Sequence, residues 1–140
     1  MKRAHLLVLL GAACAGRPAP PLPAPADAAL AQVYYWRARP GKLEEYGRYI
    51  AGFAEKVDEE ARRAGAFVSV TTYVARDTTS PWTHMRVFLL RDSAQLRGLS
   101  AALEQAGLRV EPDSTKRRAR AEYSATLRDR VGSATVEVLR

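Results

Sequence analysis

A chain of 140 residues is long enough for one domain with one core. Its 47% apolar and 26% charged residues are ordinary for a globular protein, and a net charge of +7 is too mild to compel a nucleic-acid partner. One cysteine excludes an intramolecular disulfide, and two histidines without paired carboxylate spacing argue against a metal site.

Residues 1–14 read as a signal peptide. Met1 to His5 is basic, Leu6 to Leu10 is apolar, and small residues follow. The apolar run is far shorter than the ~18–20 residues that span a bilayer. Cys14 follows Leu9-Leu10-Gly11-Ala12-Ala13, which resembles a bacterial lipobox, with Gly11 standing where that pattern prefers Leu. The resemblance implies acylation of Cys14 and a membrane-anchored lipoprotein. A plainly secreted or periplasmic protein and an uncleaved N-terminus are the alternatives. Residues 15–31 carry Pro18, Pro20, Pro21, Pro23 and Pro25, which suit an extended spacer and exclude helix.

The domain is expected over 32–140. Val33 to Arg39 is rich in β-formers and stops at Pro40-Gly41. Alternation puts Tyr34, Trp36 and Ala38 on one face. A long helix follows from Lys42 to Ala64, with Leu43, Tyr46, Ile50, Phe53, Val57 and Ala64 as its apolar stripe and Gly65 as its stop. Phe67 to Ala75 is a second strand and 76–81 a polar turn. Trp82 to Leu90 is a third strand, with Trp82, His84, Arg86, Phe88 and Leu90 sharing a face. Asp92-Ser93 opens a second helix that Gly107 closes. Thr115 to Val131 reads as a third helix ended by Gly132, and Ser133 to Leu139 as the last strand.

The order β-α-β-β-α-(α)-β is a ferredoxin-like α+β arrangement. It is a four-stranded antiparallel sheet with helices on one face. The other face carries aromatic and aliphatic residues and is expected to pack against a second copy, sheet to sheet, as a homodimer.

In this arrangement the chain resembles the dimeric α+β barrel superfamily, which includes antibiotic-biosynthesis-monooxygenase-like proteins. Tyr34 to Arg39, the turn Pro40-Gly41-Lys42 with Glu45-Tyr46 beyond it, the β-β hairpin and the helix at Asp92 carry the likeness. The resemblance implies a homodimer with a ligand cleft between helices and sheet. Its haem-binding members use a His, often on the second helix, and residues 92–107 contain none. No cofactor is therefore expected.

His84 is the one imidazole beyond the signal segment. It is the candidate acid/base, against the plainer reading of a locally hydrogen-bonded strand residue. Tyr34, Trp36, Tyr73, Trp82 and Arg86 are the candidate ligand-binding residues, and core or dimer packing is the alternative for the aromatics. Lys116-Arg117-Arg118-Arg120 is the one basic cluster and would suit an anionic surface or merely a solvated helix start. The sequence assigns no specific activity: the reading is an exported, lipid-anchored homodimer with a small aromatic or apolar molecule as its candidate ligand. The alternatives are a cofactor-independent monooxygenase-like enzyme and an anionic-surface binder.

Overall fold

A computed structural model describes residues 27–139. The signal, lipidation and most linker assignments, Cys14 included, lie outside these residues. Strand β1 is Leu30–Ala38, so Leu30 and Ala31 belong to the sheet and not to the spacer. Helix α1 (Leu43–Tyr49), a π-helical turn (Ile50–Ala54) and α2 (Glu55–Arg63) run on as one rod. Strands β2 (Ser69–Val74) and β3 (His84–Leu90) follow. Then come α3 (Ser93–Val110), α4 (Ser114–Leu127) and β4 (Arg128–Glu137).

The sheet order is β2-β3-β1-β4, antiparallel throughout. With the helices packed on one face, this is the expected ferredoxin-like α+β fold. Local chemistry explains the boundaries. The turn after β1 needs Gly41 at φ 73°, where a Cβ would be strained, and Gly65 at φ 82° ends the long helix in the same way. Asp92 caps α3 by accepting from the Ala94 and Gln95 N–H groups at 2.8 and 2.9 Å. Asp113 caps α4 from Thr115 and Lys116 at 2.8 and 3.2 Å.

Two departures from the expected pattern matter. The first is the π turn, where the Glu55 N–H reaches back to the Ile50 carbonyl. It adds a residue to one turn and rotates the rest of the rod about its axis. In α2 the buried positions are Asp58 and Ala61, not the anticipated continuation through Ala64, which is exposed. The second concerns the last helix. It stops at Leu127, not Val131, and Gly132 lies inside β4. The strand contains a bulge: Tyr35 pairs with Gly132, but Trp36 pairs with Arg130, so Val131 is an extra residue. Without the bulge Val131 and Asp129 would face the helices. With it Arg130 and Arg128 do. Smaller shifts are that Gly107 sits within α3 and that β3 starts at His84. Trp82 precedes the strand, and its ring lies 6.0 Å from Tyr35, on the sheet face opposite to that of Tyr34 and Trp36. It does not share a face with His84 as alternation suggests.

The core divides in two. One cluster holds Ala61, Phe67, Phe88, Leu90, Leu99 and Ala106. The other holds Ala38, Tyr46, Ile50 and Leu127. Full burial of each large apolar side chain contributes ~1.5–3 kcal/mol.

Candidate functional site

The two clusters do not meet over the middle of the sheet. Between them lies a cleft of about 230 Å³. Its floor is Tyr34, Trp36, Arg86 and Phe88 from the sheet. Tyr46, Tyr49, Ile50 and Ala54 from α1 and the π turn form one wall, and Leu103 of α3 another. Arg128 and Arg130 enter from β4. A side chamber of about 190 Å³, more open to solvent, shares Arg86 and Arg128 with the cleft and is also bordered by Asp58. Both irregularities open on this space: the π turn supplies Ile50 and Ala54, and the bulge turns in the two arginines.

The polar groups are placed differently from one another. Arg86 is ion-paired with Asp58, and both side chains are nearly buried. Burial pushes the Asp58 carboxyl above its ordinary range, against the pull of Arg86. Arg128 lies over Trp36, its guanidinium carbon 3.5 Å from the ring centroid, and its Nε donates to Ser124 Oγ at 3.1 Å. Among the described residues it has no carboxylate partner within 4.0 Å. Burial lowers its pKa, with the charge on Arg86 adding to that effect, yet a guanidinium stays protonated. Arg130 stands 5.2 Å from the Tyr34 ring and donates to Ser133 Oγ at 3.1 Å, again without a carboxylate among the described residues. The cleft is thus aromatic and carries uncompensated positive charge.

Of the residues singled out from sequence, Tyr34, Trp36 and Arg86 come together here. Tyr73 pairs with Met85 in the register and, with Trp82, belongs to the far face of the sheet. His84 is 1% exposed and sits behind Tyr46, ring centroids 4.5 Å apart, off the cavity wall. Its Nδ1 is 2.9 Å from Thr83 Oγ1, and burial followed by the charge of Arg128 holds its pKa below the ordinary value. Sequence reasoning missed Asp58, Arg128 and Arg130. A signal existed for the first: Arg86 alternates inward on β3, and an inward arginine requires a buried acid. The basic run on α4 is largely employed locally. Arg117 donates to the Glu111 and Pro112 carbonyls at 2.9 and 2.6 Å, and Arg120 covers Phe53 at 4.3 Å.

No protein-family model matches the chain, and no curated protein matches it. Solved structures do. HapK from Hahella chejuensis aligns at TM-score 0.52 and 10% identity, over 79% of this chain and 92% of that one. PA3566 from Pseudomonas aeruginosa aligns at 0.48 and 14%, over 81% and 94%. A Bacteroides fragilis protein, described as dimeric, of unknown function and ferredoxin-like in fold, aligns at 0.45 and 9%, over 78% and 93%. Identities this low speak to the fold alone. The resemblance drawn from the Pro40-Gly41-Lys42 turn and the element order therefore holds at the level of the ferredoxin-like α+β fold.

Proposed function

We propose that this chain is an exported homodimeric binding protein, tethered by an acylated Cys14, whose cleft takes a small aromatic anion. One observation carries the ligand class. Arg128 is stacked on Trp36 at the cleft wall without a carboxylate among the described residues. A desolvated cation over a π-face leaves a flat, positively charged slot. Size agrees: an apolar cavity of about 150 Å³ holds a benzene, so the 230 Å³ here suits one substituted ring. The enzymatic alternative has no imidazole on the cavity wall, which favours binding over His84 chemistry.

Calorimetric titration of the full chain tests the reading. Benzoate is expected to bind at least tenfold more tightly than benzyl alcohol, and Arg128→Gln to erase that difference. Equal affinity of the two probes for the unaltered protein contradicts it.

The second copy is proposed for the uncovered sheet face. The β1–β3 register places Tyr35, Met85, Val87 and Leu89 there, each half-buried, beside the buried Val33. A central patch without charge is self-complementary about a two-fold axis. Light scattering is expected to give a dimer mass, reduced to a monomer by Val87→Asp.

A further inference from the structure

The Asp58–Arg86 pair ends the cleft on the side away from Trp36, and one of its atoms is unused. Oδ2 of Asp58 takes the Arg86 guanidinium. Oδ1 has no donor among the described residues, although Asp58 is only 4% exposed. No side-chain nitrogen or oxygen sealed from solvent lacks a partner among those residues, so Oδ1 opens on free space. Asp58 borders the side chamber, with Arg86 and Arg128, and also a separate hollow with Glu55, Glu59 and Arg62. In that hollow Glu59 is paired with Arg62, whereas the side chamber holds Arg128 without an acid partner among the described residues, so an aromatic acid bound at Arg128 lies in the space that Asp58 borders.

Register gives the spacing. Arg86 pairs with Tyr34 and Arg128 with Ala38, four residues further along β1. At ~3.3 Å per residue the two backbones are offset by roughly 13 Å along the strand. The long side chains converge from the two ends on the same chamber. An arginine with no acid stands at one end, and a carboxylate oxygen with no donor at the other.

We propose that Asp58 Oδ1 is a second recognition point. The ligand is then a single-ring aromatic acid bearing a hydrogen-bond donor, a hydroxyl or amino group, para to its carboxylate. This assignment rests on the aromatic-anion reading of the cleft. The carboxylate meets Arg128, the ring lies over the aromatic floor, and the para group donates to Asp58. Oδ1 accepts from it in the ionised form of Asp58, which Arg86 favours against the effect of burial.

The test compares benzoate, 3-hydroxybenzoate and 4-hydroxybenzoate by calorimetry on the full chain. A donor to a buried charged acceptor is expected to favour 4-hydroxybenzoate over benzoate at least tenfold, with the 3-hydroxy isomer weaker than the 4-hydroxy. Removing Asp58 alone strands Arg86 and risks the fold, so the variant is Asp58→Leu/Arg86→Met, an apolar replacement of the whole pair. It is expected to bind benzoate and 4-hydroxybenzoate within twofold of each other. Three results overturn the inference. Equal binding of the two acids by the unaltered protein, with Arg128→Gln weakening both, removes Asp58 and leaves the cleft reading standing. A preference that survives in the double variant does the same. Loss of both acids in a folded double variant makes the pair a support for cleft shape and not a reader of the ligand. If neither acid binds the unaltered protein, this inference and the reading beneath it fall together.

Discussion

The two halves of the core are built on different rules. Around Phe88, Leu90 and Leu99 every element follows its period. Phe67 and Tyr34 meet Phe88 edge-on at 5.0 and 5.8 Å, and the buried cluster is apolar throughout. Around Tyr46 and Arg128 the helix has a π turn and the strand a bulge, and guanidinium groups replace methyl groups against the aromatics. Regular packing fills space. The irregular half leaves space and lines it with charge. Both irregularities cost regular backbone pairing, and both aim at one cavity, as expected of a site and not of a stabilising core.

The contrast can be broken from either side. Leu99→Ala, in the regular half, is expected to cost about 3 kcal/mol through its cavity and to leave benzoate affinity of the folded protein unchanged, read by denaturant melts beside calorimetry. Arg86→Met strands the Asp58 carboxylate and is expected to cost about 3 kcal/mol at neutral pH. Its pH dependence comes from the raised Asp58 pKa. The folded state keeps its proton above the ordinary value of 3.8, so stability is full below that value and is lost as pH rises through the folded pKa. Melts of Arg86→Met across pH 3 to 7 should therefore show relative recovery in acid. Deleting Val131 removes the bulge but keeps Arg130 opposite Trp36 and Arg128 opposite Ala38, so both arginines still face the helices. Benzoate affinity is expected to stay within about threefold, with the fold intact by circular dichroism.

His84 offers the smallest effect. Its folded pKa lies below the ordinary 6.5. As pH falls below 6.5 the unfolded imidazole takes up a proton before the folded one does, and stability is lost until the folded pKa is passed. His84→Gln is expected to flatten that decline in melts between pH 6.5 and 5. An unchanged slope would mean another group carries it.

The same contrast explains how much is legible in the sequence. Strand alternation reveals Tyr34, Trp36, Arg86 and the inward face of β3, because strands there are regular. Helical period holds for the long helix through Tyr46 and Ile50. Past the π turn a 3.6-residue step finds Phe53 and Val57, which line the side chamber, but misses Ala54 and Asp58, which the rod also brings inward. Likewise the stretch Leu127 to Gly132 reads as helix, since Tyr123, Leu127 and Val131 repeat every four residues. An edge strand with a bulge has no such period, so Arg128 and Arg130 stay hidden. Alternation assigns Trp82 to a strand that begins two residues later. Periodicity detects regular elements, and this site is assembled where regularity fails.

A crystal structure of the full chain grown with 4-hydroxybenzoate tests the central claim most directly. The account predicts the ring over Trp36 and Tyr34 within the cleft, its carboxylate against Arg128 and its hydroxyl toward Asp58. Density for the acid only outside the cleft, or a cleft filled by Arg128 folded onto an acid of its own chain, would contradict it.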